Sequence, residues 1–235
     1  FSIVVDKSTS PRYLIADSKL YTKNNAVHLS QLPYITRIPG TLKESSAIIK
    51  RALEHGQWNR LNTSYRYYEE AITHYNIKQR WLVVYSQQAR ARAEKTLMRT
   101  CEKEKTKLEK ALWHLSNQPY SCQHDAEKAL QQITKQSRYH TIQTPIITEK
   151  KKFAQSGRPK KGSEPCADHS FITATAVRNE GEVKKCLNEK ACFVLATNIA
   201  GDELAAVDVI GAYKQQNTSI ENTGFRFLKD PLFFV

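Results

Sequence analysis

Apolar and polar positions along this chain fall into short buried runs and long amphipathic ones. Residues 12–17, Arg-Tyr-Leu-Ile-Ala-Asp, form a short apolar run after the turn cluster Ser8-Thr-Ser-Pro11. Their length and bounding residues predict a buried strand ending at Asp17. Asp17 and Ser18 then supply the cap for a helix predicted to about residue 29. Residues 32–38 are β-branched and aromatic and are closed by Pro39-Gly40, which predicts a second strand and a turn. A helix is expected at 42–53. Residues 58–80 are rich in Tyr, Asn, Arg and Trp without clear period, and lead into a third strand at 80–85, Arg-Trp-Leu-Val-Val-Tyr.

From 87 to 115 there is no Gly or Pro, and Ala, Glu, Lys, Arg and Leu dominate, which is a strong helix signal. Leu97, Cys101, Leu108, Leu112 and Leu115 recur on one face. The turn Ser116-Asn-Gln-Pro119 and a second helical stretch at 122–135 make this an antiparallel helical hairpin, with Leu97, Leu108 and Leu112 expected against Ala129, Leu130 and Ile133. The charges from Glu102 to Lys107 read as the solvated face of that hairpin. Residues 149–167, with Gly, Pro, Ser and charge, read as a basic linker. Strands at 170–177 and 192–197, a short helix at 182–187 and a helical pattern from about 203 through Tyr213 complete the pattern.

Composition narrows the partners. The chain has 235 residues, of which 40% are hydrophobic and 25% charged, as in soluble globular proteins rather than disordered ones. Its 36 Lys and Arg against 23 Asp and Glu leave a net charge of +13, which favours a polyanionic partner, nucleic acid first. No apolar run is long enough to span a membrane and the first residues do not have the form of a signal peptide, so no membrane association and a cytoplasmic location are expected. Cys101, Cys122, Cys166, Cys186 and Cys192 are scattered without a CxxC pair. They read as reduced, mostly buried thiols rather than as disulfides, and the lone pair Cys166 and His169 does not make a zinc site. Both ends, the runs 1–5 and 231–235, are apolar, which reads as a fragment of a longer chain.

A carboxylate at the end of a buried strand can hold a divalent metal, because the strand fixes the oxygen while the loop edge stays open to substrate. Asp17 has that position, although an Asp after a strand is also a common helix cap. Near the C-terminus a single acid, Glu221, stands in an otherwise uncharged part of a predicted helix, with aromatics and Lys229 after it.

The blocks Tyr13-Leu-Ile-Ala-Asp-Ser-Lys-Leu-Tyr21 and Gly224-Phe-Arg-Phe-Leu-Lys-Asp-Pro-Leu-Phe-Phe234 resemble insertion-sequence transposases of the DDE class that carry a Tyr-Arg-Glu-Lys signature. The resemblance implies an α/β protein with a partial ribonuclease-H-like core, in which three acids hold two magnesium ions. Asp17 matches the second acid, Glu221 the third, Tyr213 the signature tyrosine and Lys229 the signature lysine. It divides the chain into partial core at 1–40, a largely helical insertion at 41–190, and core strand with catalytic helix at 191–235. It also implies DNA as partner, both element ends and target, and a homodimer for the intact enzyme.

The signature differs in detail here. Gln216 stands where the family has arginine, Glu221 falls one residue late, and Lys229 is one residue further from it. The first acid belongs on a strand well upstream of Asp17. Asp6 is too close to Asp17 for the intervening hairpin and helix and reads as a turn residue, so the chain alone is expected to be inactive. The implied reaction is in-line attack on a DNA phosphodiester by water and then by a 3′-hydroxyl. Gln216, Arg226 and Lys229 would contact phosphate. The segment Ser156-Gly-Arg-Pro-Lys-Lys-Gly162 resembles the core of an AT-hook, so Arg158, Lys160 and Lys161 are candidate DNA contacts, either in a minor groove or as a generic basic linker. Two other readings remain open: a basic nucleic-acid-binding or assembly module without chemistry, and a coiled-coil scaffold built on the long helix.

Overall fold

The run Ser2–Val5, β1, pairs antiparallel with Pro11–Ala16, β2, the strand predicted to carry Asp17 at its end. A computed structural model describes residues 2–5, 11–152 and 167–219 of the chain. It is a mixed α/β protein. The chain divides into two compact units, Phe1–Ala91 with Asn188–Val235, and Arg92–Leu187.

In the first unit, Asp17 caps a single 3-10 turn, Ser18–Leu20, and α1 (Lys23–Ser30) follows, so the expected helix is split in two. Strand β3 (Tyr34–Arg37) runs parallel to β2, with Ala16 opposite Thr36. Helix α2 (Lys43–His55) ends at Gly56, whose φ of 65° is the left-handed stop that glycine takes without strain. The aperiodic stretch at 58–80 is regular after all: β4 (Asn59–Arg60) and β5 (Tyr65–His74) precede β6 (Ile77–Ser86). Most of β5 is only half-buried, which is why no alternation is visible. It is held rung by rung to β6, and Tyr75 and Asn76, at φ 51° and 63°, form the tight turn whose handedness matches strand twist.

The sheet of this unit has the order β1-β2-β3-β9-β6-β5-β4, where β9 is Cys192–Thr197 and lies antiparallel to both β3 and β6. Trp81, Leu82, Val83 and Val84 of β6 are all fully buried because both faces are covered. One face carries Tyr34, Trp81, Val83, Val194 and Ala196 against Ile48 and Ala52 of α2. The other carries Ile15, Ile35, Leu82, Val84 and Leu195 against Val209, Ile210 and Tyr213 of α6 (Ala206–Ser219).

The second unit contains most of α3 (Gln87–Asn117), with α4 (Gln123–Lys135), the two-stranded sheet of β7 (His140–Lys152) and β8 (Ala167–Arg178), and most of α5 (Glu180–Lys190). Leu108, Leu112 and Leu115 pack with Ala126, Ala129, Leu130 and Ile133, as expected of the hairpin, and also with Ile142, Ile147 and Ile172 of the sheet. Leu97 does not join them. It packs with Cys101 against Tyr139, Val183, Cys186 and Leu187. The reason is length: α3 runs 31 residues against 13 for α4, so its first turns extend beyond the hairpin.

The expected insertion at 41–190 and the compact unit differ at their starts, since residues 43–86 supply α2, β4, β5 and β6 to the first unit and β6 bonds directly to β9. Of the expected linker at 149–167, residues 149–152 and 167 are strand, and 153–166 lie outside the described residues. Strand continues to Lys152 and resumes at Ala167. Pro145 is accommodated where the β7–β8 register breaks between Gln143 and Ile146, a position that asks no ladder hydrogen bond of it.

Candidate functional site

Asp17 follows the last residue of β2 with its backbone still extended, φ −73° and ψ 163°. Side chains alternate across a strand, and Tyr13 and Ile15 lie on the face covered by α6 while Leu14 lies on the other. Asp17 continues the first set and is exposed at the sheet's end. Its Oδ1 accepts from the Ser18 backbone N–H and from Ser18 Oγ at 3.0 Å. Oδ2 has no hydrogen-bond partner among the described residues. Asp17 therefore caps a single 3-10 turn rather than the long helix expected from the sequence, and this occupies one carboxylate oxygen.

Thr36 Oγ1 donates to the Asp17 carbonyl at 3.3 Å and ties the ends of β2 and β3 together. One residue beyond, Arg37 sits beside Asp17 on the neighbouring strand. Ile35 faces α6, so Arg37 does too, and its guanidinium carbon lies 5.4 Å from the centre of the Phe193 ring on β9.

The strand register fixes which way α6 runs. Thr197 of β9 is opposite Ile35 and Leu195 is opposite Arg37, so Phe193 lies beyond Arg37 in the direction in which β2 and β3 run. The chain leaves Thr197 at the far end, where Arg80 donates to the carbonyls of Ile199 at 3.0 Å and Leu204 at 2.8 Å and to Glu69 Oε1 at 2.5 Å. That fork anchors the loop before α6. The helix then returns over the sheet, and Tyr213, midway along it, puts its ring 6.4 Å from that of Phe193. Lys214 lies with Nζ 3.8 Å from the centre of the Tyr65 ring. Asp17, Arg37, Tyr213 and Lys214 thus share one face and one end of the sheet.

Of the residues singled out in the sequence, Asp17 and Tyr213 are brought to this end, the second as a buried packing residue. Gln216 lies on α6 one turn further on. Glu221, Arg226 and Lys229 lie outside the described residues, as do Arg158, Lys160 and Lys161. Arg37 and Lys214 were missed. Their place depends on β3 running parallel to β2 and on α6 running back across the sheet, and neither is written in local sequence.

The opposite face holds a second polar cluster. Tyr21 donates to Gln79 Oε1 at 2.9 Å and pairs with His74 Nδ1 at 2.8 Å, Trp81 Nε1 donates to the same Gln79 oxygen at 3.0 Å, and Gln79 Nε2 donates to the His74 carbonyl at 2.9 Å. Burial pushes the Tyr21 phenol up and the His74 imidazole down. With its polar atoms paired inside the core, this network specifies packing rather than chemistry.

Among the described residues no three His, Cys, Asp or Glu side chains gather as a metal site. Asp17 offers a hard cation one uncommitted oxygen, which fits the donor type of magnesium but supplies one ligand. Cys101 and Cys186 are buried, Cys192 is half-buried and Cys122 exposed. No described helix is long and apolar enough to cross a membrane. Comparison with family models, curated proteins and solved structures finds no match.

Proposed function

We propose that this chain is part of a DDE-class transposase with a ribonuclease-H-like core, whose reaction is metal-dependent cleavage of DNA and transfer of the cut strand. The observation that carries this reading is the course of α6, which covers the Asp17 face of the sheet and ends toward the Asp17 end. Glu221, two residues beyond the end of α6, lies outside the described residues, and the reading requires it to approach Asp17. On this reading Asp17 and Glu221 would hold magnesium, which when bound activates the attacking oxygen and stabilises the leaving one. Asp17 presents its uncommitted oxygen outward, with the Ser18 bonds fixing its rotamer. Tyr213 anchors α6, the helix that precedes Glu221 in the chain. Gln216, Arg226 and Lys229 would contact phosphate, and the basic run at Arg158, Lys160 and Lys161 would add sequence-independent affinity for the DNA backbone.

The test is a manganese titration followed by electron paramagnetic resonance on the unaltered chain, Asp17→Asn, Glu221→Gln and the double variant. Two acids that share one metal give a non-additive cycle, in which the double variant binds no more weakly than either single one. Independent effects, or none, would remove the transposase assignment. A second reading, a basic nucleic-acid-binding module without chemistry, draws on the Ser18 cap that Asp17 makes. It predicts DNA binding that is steep in salt and indifferent to both acid substitutions.

A further inference from the structure

We infer that Arg37, held over Phe193 beside Asp17, is a phosphate-contact residue for a nucleic-acid strand passing the end of the sheet where β2 and β3 stop. The inference rests on the nucleic-acid partner of the reading above, but not on its chemistry.

Asp17 and Arg37 are neighbours on adjacent strands, which are spaced about 4.8 Å apart. Both are exposed and both point to the α6 side, yet they form no ion pair. The guanidinium instead leans across to β9 and over the Phe193 ring, 5.4 Å from its centre. Four other arginines among the described residues are occupied: Arg51 by Glu70, Arg80 by Glu69 and two carbonyls, Arg90 by Asn188, Arg178 by Glu180. Among the described residues Arg37 has no carboxylate or carbonyl partner.

Stacking on a ring holds a guanidinium by its face and leaves its edge, with its N–H groups, open to solvent. An edge of that kind matches two phosphate oxygens at once. An exposed carboxylate such as Asp17 repels a phosphate backbone, and a cation fixed on the adjacent strand offsets that repulsion where the strand must come close. Lys214, also seated on a ring at this end, extends the positive edge. The net charge of +13 favours a polyanion over a small anion as the partner.

The experiment measures fluorescence anisotropy of a labelled DNA duplex against the chain over a series of salt concentrations, with circular dichroism to establish that each variant is folded. Arg37→Ala should weaken binding about tenfold and lower the slope of log affinity against log salt by about 0.9, the value for one phosphate contact. Arg37→Lys should keep the slope and lose part of the affinity, because it keeps the charge and loses the fork. Arg66 also lies over aromatic rings, those of Trp58 and Tyr85, but on the other face of the sheet. Arg66→Ala should leave affinity and slope nearly unchanged. Equal losses in the Arg37 and Arg66 variants, an unaffected Arg37→Ala, or no DNA binding by the unaltered chain would each overturn the inference. So would displacement of the duplex by inorganic phosphate at matched ionic strength, which would mark a small-anion site. The manganese cycle decides the transposase reading separately: additive acids with an Arg37-dependent slope leave this contact standing on a surface without chemistry.

Discussion

The ring of Tyr213 on α6 lies 6.4 Å from the ring of Phe193 on β9, inclined by 35°, and this contact seats the middle of the helix over the end of the sheet where Asp17 emerges. The tyrosine is buried, with Val209 and Ile210 one turn back along the same stripe. Tyr213→Ala should therefore cost about 3–5 kcal/mol in urea unfolding, in the range for removal of a buried aromatic ring. Tyr213→Phe keeps the ring and should lose less than half of that. Equal losses in the two variants would shift the weight from ring packing to the hydroxyl.

Much of the first unit was legible because its strands are short apolar runs, closed at β2 by Asp17 and at β3 by Pro39-Gly40, so the expected bounds of β2, β3, β6 and β9 lie close to the observed ones. Other parts needed tertiary information. Strand β5 carries Tyr, Arg and Glu on a half-buried surface, and its partner β6 rather than its own alternation makes it a strand. Strand β7 went unassigned although Ile142 and Ile147 are inward-facing, because the break beside Pro145 interrupts the period. At the candidate site Asp17 could be named, since a strand-end carboxylate is visible locally. Arg37 could not, because it gains its place only when β3 is laid parallel to β2.

On α3, Leu112 is 6% exposed and Trp113 beside it is 63% exposed, so neighbouring residues of similar hydrophobicity should behave oppositely. Leu112→Ala removes a side chain enclosed by α4 and the β7–β8 sheet and should cost about 2–5 kcal/mol. Trp113→Ala should stay within about 0.5 kcal/mol, as substitutions on open surface do. Comparable losses measured by circular dichroism in denaturant would mean that Trp113 is covered by something that binds this face.

Glu104 was read as one charge of a solvated helix face, but its Oε1 accepts from Ser137 Oγ at 2.9 Å, the Arg138 N–H at 3.1 Å and the Tyr139 N–H at 2.7 Å, and pairs with His140 Nδ1 at 3.0 Å. Partial burial pushes its pKa up, but the bonds from His140, Tyr139, Ser137 and Arg138 together outweigh it and hold the carboxyl below the ordinary glutamate value. A depressed carboxylate contributes stability above its unfolded pKa and loses it as pH falls through that value toward the folded one. Unfolding free energy measured from about pH 7 to about pH 3 should therefore fall more steeply for the unaltered chain than for Glu104→Gln. At neutral pH the substitution itself should cost on the order of 1.5–3 kcal/mol, the range for hydrogen bonds to a charged group. Parallel pH profiles would show that the carboxylate charge contributes nothing to the fold.

Asp17 caps a turn and, on the proposed function, holds a metal, and single substitutions can separate the two. As a cap it needs only an oxygen that accepts from the Ser18 N–H, and asparagine supplies one about as well as aspartate does. Asp17→Asn should thus leave unfolding free energy within about 0.5 kcal/mol of the unaltered chain, whereas Asp17→Ala, which removes the acceptor, should cost about 1 kcal/mol. As a metal ligand it needs the charge, which both variants lack. A ligand that binds only the folded state raises stability in proportion to the logarithm of its concentration once that exceeds the dissociation constant. Manganese should then stabilise the unaltered chain, and both variants should lose that increment equally although they differ in stability without metal. A metal increment that survives in Asp17→Asn would assign Asp17 to the cap alone. An increment lost in Asn and Ala alike, beside a cap effect seen only in Ala, would assign it both roles, with Oδ1 on the turn and Oδ2 on the metal.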